Sequence, residues 1–331
     1  MKAQELNIGV DIGGTNIKFD IVDGEGRILG QKKIATDPRR GCEAILAAIV
    51  SEISSLLRES ALRAQDLTSI GIGVPGTADS EHGTVVYAPN LFWRNVPIVP
   101  AVRPIFGVPV SIAQDTRAAA WAEYLVGSGR GLRGVAAVTL GTGIGCGMVI
   151  DGRIFYGALN TAGEFGHQIV ELDGEPCNCG RHGCLEAHAG GLAIVRAAEK
   201  QISRLHALLE GKPEVDVADV YRLAEAGNLQ ARQLTDRALR YIGVGLVNLI
   251  NLTSLEIICL SGGISNAPPE LLLDPLIAFV RSRAYEMAAQ RVRICHSALG
   301  EDAPLIGAAL LHREPAQAAL LQEGAALSSA H

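Results

Sequence analysis

Two segments of the chain read as copies of one pattern, and this repeat constrains the fold more than any other feature. IGVDIGGTNIKFDIVDGEG, from Ile8, and AAVTLGTGIGCGMVIDGRI, from Ala136, align after a shift of 128 positions, which places Gly13 on Gly141. Each copy predicts a strand, a glycine-rich turn, a second strand and an Asp-Gly turn. A repeat at this distance predicts two similar α/β lobes with a ligand cleft between them.

Each copy is followed by a further strand that ends in glycine, TSIGIGVPG at 68–76 and SLEIICLSGG at 254–263. Helical periodicity at 41–60 and 228–251 separates the strands. Ligands of α/β folds bind beyond the carboxyl ends of strands. One glycine turn could be a simple tight hairpin. Three such turns in corresponding positions, at 13–14, 141–143 and 262–263, favour a shared ligand.

Charge and composition exclude several classes of protein. The net charge of −6 and the pI near 5.8 give no basic field that would attract nucleic acid or anionic lipid. The first residues lack the pattern of a signal peptide. The longest apolar stretch, 242–260, includes Asn248, Asn251 and Glu256, which are costly inside a bilayer. We therefore expect a cytoplasmic protein that binds neither nucleic acid nor membrane.

The three glycine turns are the predicted contacts to a nucleotide. Their glycines leave backbone amides open to phosphate oxygens. Asp11 is expected to hold hydrated magnesium, Lys18 adds a positive charge, and the last turn would admit adenine or ribose. The predicted nucleotide-binding residues are Asp11, Gly13, Gly14, Thr15, Lys18, Gly141, Thr142, Gly143, Gly262 and Gly263.

Asp115 lies where a predicted strand at 108–113 gives way to a helix that begins near Thr116. Aspartate at such a junction can be the helix N-cap. A carboxylate at a strand end that faces a cleft can also accept the proton of an attacking hydroxyl. The two roles are compatible, and we predict that Asp115 is a general base.

The segment GEFGHQIVELDGEPCNCGRHGCLE, 163–186, holds three of the seven cysteines. Its spacing H-x9-C-x-C-x4-C offers three thiolates and one imidazole, the donor set of a closed structural zinc site. A zinc ion with four protein ligands would not activate water. The alternative is a cluster of free thiols. The predicted metal ligands are His167, Cys177, Cys179 and Cys184.

Two acids, Glu164 and Glu186, flank this loop, so folding it around a metal would bring both near His167. Carboxylates in fixed positions can accept hydrogen bonds from sugar hydroxyls. Paired carboxylates are also the machinery of glycoside hydrolysis. The phosphate-type turns argue against hydrolysis and favour phosphoryl transfer to a sugar.

In chain order, DIGGTNIK, the VPG turn, PNLFW, LGTGIG, GEFGH, CNCGRHGCLE and LSGG resemble the ROK family of sugar kinases and repressors. The resemblance covers nearly the whole chain, and GEFGH with CNCGRHGCLE is its most specific part. It implies an actin-like, ribonuclease-H-like fold. A smaller lobe would comprise 1–114 plus about 301–331, and a larger lobe 115–300 would contain the zinc loop 163–187. For the family's kinases it implies ATP, Mg²⁺ and structural Zn²⁺.

By the same resemblance, Asp115 is the base. Sugar hydroxyls would be bound by Asn90, Glu164, His167 and Glu186. His167 would contact the zinc through its other ring nitrogen. The family's kinases usually have Asn before the catalytic Asp, whereas this chain has Gln114. We expect Gln114 to contact the sugar from a longer side chain and to alter sugar preference.

The expected function is phosphoryl transfer from ATP to a hexose or N-acetylhexosamine hydroxyl, by resemblance the 6-hydroxyl. The alternatives are a sugar-responsive ROK regulator and a catalytically silent sugar-binding protein. A regulator would carry a helix-turn-helix module, for which the turn at Asp11 is expected to leave no room. Retention of Asp115 and the phosphate turns disfavours a silent protein. The sugar, and polyphosphate as an alternative donor, stay open. The resemblance implies a homodimer or homotetramer.

Overall fold

The computed structural model describes residues 5–202, 205–209 and 212–320. It divides into two compact units. Unit 1 comprises Met1–Gly131, Gly147–Ala162 and Asp302–His331, and unit 2 comprises Leu132–Cys146 and Gly163–Glu301. The lobe boundaries expected from the sequence stay a prediction. The Ala-rich tail after Pro315 predicts that the last residues fray, and those residues lie outside the described ones.

Unit 1 is built on a five-stranded sheet of order β3-β2-β1-β4-β8. Strands β1, β2 and β3 form an antiparallel meander, whereas β4 and β8 run parallel to β1. A second sheet, β5-β6-β7, is antiparallel. The strands are β1 Leu6–Ile12, β2 Asn16–Asp23, β3 Ile28–Ala35, β4 Ser69–Val74, β5 Thr77–Asp79, β6 Thr84–Ala88, β7 Trp93–Pro97 and β8 Val110–Gln114.

Helices of unit 1 cover the five-stranded sheet. Its strand β4 is buried at every position, as in a strand covered on both faces. Close packing depends on two glycines. A Cβ on Gly71 would lie 1.7 Å from the carbonyl oxygen of Ala308, and one on Gly307 would lie 1.7 Å from that of Ala118. The helices are α1 Cys42–Glu59, α2 Ile98–Phe106, α3 Asp115–Leu125 and, at the end of the chain, α11 Ala303–Ala309.

Unit 2 contains most of a second five-stranded sheet, of order β11-β10-β9-β12-β13. Strand β12 pairs in parallel with β9 and β13. The strands are β9 Gly134–Leu140, β10 Ile144–Ile150, β11 Arg153–Ile154, β12 Ile257–Ser261 and β13 Arg293–His296. The helices are α4 Leu185–Ala189, α5 Gly191–Gln201, α6 Leu205–Leu208, α7 Val217–Glu225, α8 Leu229–Thr253, α9 Leu273–Arg283 and α10 Glu286–Arg291.

Both copies of the sequence repeat form the predicted strand, turn and strand, as β1 with β2 and as β9 with β10. The long predicted helices are present as α1 and α8. The junction at Asp115 differs from the expectation, because α3 begins one residue earlier than Thr116 and Gln114 is its N-cap. Within the described residues, no helix has the length and apolar character needed to cross a membrane.

Candidate active site

The first glycine turn joins β1 to β2 in unit 1. The amide of Gly13 donates to the carbonyl of Asn16 at 2.9 Å, and the hydroxyl of Thr36 donates to the carbonyl of Gly13 at 2.8 Å. The amide of Thr36 also donates to the carbonyl of Thr15 at 2.8 Å. These bonds hold the base of the turn, while Gly14 and Thr15 at its tip are exposed. The tip therefore offers open amides and a hydroxyl to a phosphate.

Asp11 lies at the end of β1, opposite Lys18 on β2. Burial raises the pKa of Asp11 to about 6, and the charge of Lys18 opposes that rise. A desolvated carboxylate at a strand end gains free energy by binding a divalent cation. Asp11 therefore fits the predicted magnesium role.

Gln114 and Asp115 lie at the same sheet edge as Asp11. The register of the parallel strands pairs Asp11 with Gly73 and, on the next strand, Val74 with Gln114. The side chain of Asp115 accepts a hydrogen bond from the Thr116 amide at 2.7 Å, so its direction is fixed at the first position of α3.

Asn90 lies beside the first turn. It is exposed, and it belongs to the short 3₁₀ helix Pro89–Leu91. A Cβ on Gly14 would lie 3.8 Å from the Cβ of Asn90. The predicted sugar contact and the predicted phosphate turn of unit 1 are therefore neighbours.

A structural role for Arg117 was not predicted from the sequence. This side chain lies two residues after Asp115 and is only 2% exposed. Its guanidinium donates to the side-chain oxygen of Asn160 at 2.8 Å and to the carbonyls of Asn160 and Ala162 at 2.9 and 3.0 Å. Asn160 in turn donates to the carbonyl of Ala78 at 2.6 Å. The only sequence signal was one arginine in the otherwise small and apolar run that opens α3. Arg117 fixes the start of α3 to the segment 160–162.

The second glycine turn, in unit 2, is held from two sides. The Gly141 amide donates to the Gly143 carbonyl at 3.0 Å, and the first residues of α5 donate to the carbonyls of Gly141 and Thr142. Glu186 accepts from the Ile144 amide at 2.9 Å, and a Cβ on Gly143 would lie 2.3 Å from a Glu186 oxygen. The predicted sugar contact Glu186 therefore lies directly on the predicted phosphate turn.

The third turn follows β12 in the same unit. Gly262 has a φ of 90°, and a Cβ there would lie 2.6 Å from the Leu140 carbonyl oxygen. Only one atom, in the side chain of Val217, lies within 4.0 Å of a Cβ built on Gly263. The second and third turns are therefore adjacent, with open space above Gly263 for a flat group.

The cysteine-rich loop brings together the predicted metal ligands, His167, Cys177, Cys179 and Cys184. Their ligand atoms all lie within 4.8 Å of one another. The sulfurs of Cys179 and Cys184 are 3.6 Å apart, and the Cys177 sulfur is 3.7 Å from Nδ1 of His167. A tetrahedron with Zn–S bonds of about 2.3 Å has edges of about 3.8 Å. The donor set and its spacing fit zinc.

The two ring nitrogens of His167 face different partners. Nδ1 is directed to the cysteine cluster, whereas Nε2 lies 4.0 Å from a carboxylate oxygen of Glu164. Glu164 is the N-cap of the 3₁₀ helix Phe165–His167, so the acid and the imidazole are held on one turn. A metal on Nδ1 would fix the orientation of Nε2.

Comparison with known proteins identifies the family of this chain. Residues 7–314 match the ROK family. A glucokinase of Streptomyces coelicolor is 36% identical over 319 residues, covering 94% of this chain and 98% of that enzyme. A crystal structure of a ROK family glucokinase from Streptomyces griseus, in complex with glucose and AMPPNP, matches with a TM-score of 0.79 and 35% identity, over 92% of this chain and 98% of that one.

A xylose repressor of Bacillus subtilis is also similar, at 26% identity over 308 residues, which cover 92% of this chain and 76% of the repressor. The matches confirm the predicted actin-like α/β fold. The family match, residues 7–314, spans the three glycine turns and the cysteine-rich loop. This chain belongs to the ROK family.

Proposed function

We propose that this chain is an ATP-dependent sugar kinase. The observation that carries the proposal is the joint presence of a first glycine turn with an open tip, a second glycine turn with an exposed Thr142, a carboxylate at the start of α3 and a histidine that bridges the cysteine cluster and Glu164. The full-length similarity to glucokinases of two Streptomyces species supports the same reaction. The proposed reaction is the transfer of a phosphoryl group to a sugar hydroxyl.

In the proposed mechanism, Asp115 accepts the proton of the attacking hydroxyl, by resemblance the 6-hydroxyl, as that oxygen attacks the γ-phosphorus of ATP in line with the departing ADP. The Thr116 amide holds the carboxylate in place. Magnesium bound near Asp11 would neutralise phosphate charge. Lys18 and the open amides of the first glycine turn stabilise the negative charge on the transferred group.

Sugar recognition is proposed, on the family resemblance, to use the polar side chains of Asn90, Gln114, Glu164, His167 and Glu186. Carboxylates accept from hydroxyls, while Nε2 of His167 and the two amides can donate. The structural zinc would act indirectly, since it fixes the loop that carries His167 and both acids.

A regulator is the second candidate, because xylose repressors also match. That similarity covers 76% of the Bacillus subtilis repressor, against 98% of the Streptomyces coelicolor glucokinase. A regulator would bind sugar without turnover, whereas a kinase would release ADP only when sugar is present. We also propose a cytoplasmic homodimer or homotetramer, on the family resemblance.

A coupled ADP-release assay over a sugar panel tests the proposal. The panel should contain glucose, N-acetylglucosamine, N-acetylmannosamine, fructose and allose, with ATP and polyphosphate as alternative donors. We expect sugar-dependent ADP release with at least one hexose at a kcat above roughly 1 s⁻¹. Tight sugar binding in calorimetry without ADP release on any sugar would instead favour the regulator.

A further inference from the structure

A solvent-open pocket of about 230 Å³ lies on unit 2 between α5, α8 and the loop 175–178. Arg196 and Lys200 line it from α5, and Arg237 lines it from α8. Arg196 and Lys200 are four residues apart, so they lie on the same face of their helix. One concave surface therefore gathers positive charges from two helices.

His188 forms part of the wall of this pocket, and its side chain is only 1% exposed. Neither of its ring nitrogens has a hydrogen-bond partner among the described residues. The ring is held by stacking on Tyr241, with centroids 4.4 Å apart, and the Tyr241 hydroxyl donates to Glu171. Nε2 lies 3.9 Å from a carboxylate oxygen of Glu171, which is beyond hydrogen-bond distance. Leaving a buried polar group unpaired is costly, so both nitrogens are available to bond water or a ligand.

The charge of the pocket is positive on balance. Burial lowers the pKa of His188, so its neutral ring offers one N–H donor and one acceptor. Two carboxylates, Glu175 and Glu186, also line the pocket, but Glu186 is already bound to the Ile144 amide. Arginine forks match the oxygens of phosphate groups in geometry and charge.

We propose that this α5–α8 pocket binds a phosphate-bearing anion, with Arg196, Lys200 and Arg237 holding the charge and His188 donating to it. Thr142, on the second glycine turn, lies at its margin. The proposal extends the proposed function, since it adds a phosphate site beside the predicted donor site. The anion could be the distal part of a long phosphate chain or a separate phosphorylated sugar.

The test is calorimetric binding of inorganic tripolyphosphate and of glucose 6-phosphate to the full chain. The test variant combines Arg196→Ala, Lys200→Ala and Arg237→Ala, all exposed positions that should not disturb the core. The matched control combines Lys33→Ala, Arg40→Ala and Arg58→Ala, which removes the same charge from exposed positions in unit 1. The test variant should bind at least one probe about ten-fold or more weakly, and the control should bind as wild type does.

His188→Phe keeps an aromatic ring on Tyr241 and should weaken binding several-fold. Competition by AMPPNP identifies a long phosphate chain as the ligand, and binding unaffected by AMPPNP identifies a separate phosphorylated sugar. Equal weakening in both triple variants would overturn the proposal, because only overall charge would then matter. Wild-type protein that binds neither probe at millimolar concentration would also overturn it. Since binding is read directly, this failure is distinct from an absence of kinase activity.

Discussion

Replacing Asp20 by asparagine is expected to stabilise the protein at neutral pH. Asp20 lies on β2 and is only 2% exposed. Burial raises its pKa to about 6, and the negative charges of Asp302 and Asp11 add to that rise. A hydrogen bond from Gln31 at 3.4 Å and the charge of Lys18 oppose it without cancelling it. The ionised side chain therefore costs folding free energy.

The size and the pH range of the effect follow from that pKa. A rise from 3.8 to about 6 corresponds to on the order of 3 kcal/mol as an upper bound. A group whose pKa is raised by folding contributes its full stability below pH 4, and that contribution is lost as the pH rises through 6. The stability gap between Asp20→Asn and wild type should therefore be small at pH 4 and largest above pH 7.

Urea unfolding at pH 4.5 and pH 7.5 measures the gap, and Asp23→Asn is the matched control. Asp23 lies on the same strand and is equally buried, but hydrogen bonds from Arg27 and the Glu25 amide outweigh burial and lower its pKa. Asp23→Asn should therefore destabilise the protein at pH 7.5. An Asp20→Asn variant that is less stable than wild type at pH 7.5, or whose gap does not change with pH, would refute the reasoning.

Three further predictions concern the site. Cys179→Ser should lower bound zinc from about one ion per chain in elemental analysis and weaken sugar binding with it, whereas Cys295→Ser, outside the cluster, should change neither. Gln114→Asn should change the ranking of sugars by kcat/KM, and an unchanged ranking would remove Gln114 from specificity. Arg117→Ala should cost about 2–4 kcal/mol of stability, measured by urea unfolding, because it removes three hydrogen bonds to part-buried oxygens of Asn160 and Ala162.

Features that depend on local pattern were predicted from the sequence. The repeat gave the strands on both sides of the first two glycine turns, because glycine turns and alternating apolar runs encode hairpins directly. The cysteine spacing predicted that His167, Cys177, Cys179 and Cys184 lie together, because glycines between closely spaced residues let the loop turn back on itself. The sequence also located Asp115 at a strand-to-helix junction, because an apolar strand pattern ends just before it and a helical pattern follows. Its role as the base stays a prediction.

Features that depend on contacts between distant residues could not be predicted. Arg117 matters because α3 packs near the segment 160–162, and His188 matters because α8 places Tyr241 on its ring. Neither pairing has a signal in sequence spacing. The start of α3 at Asp115 rather than Thr116 is a shift of one residue, which local propensity does not resolve.

The measurement that tests the central claim most directly is steady-state kinetics of Asp115→Asn on the best sugar of the panel, with ATP affinity measured in parallel. Asparagine keeps the shape of the side chain at the first position of α3 and removes its negative charge and with it the ability to accept a proton. The account predicts that kcat falls by roughly 10²–10⁴ while the Kd for ATP and the unfolding midpoint stay near wild type. A variant that phosphorylates the same sugar within a few-fold of the wild-type kcat would contradict it.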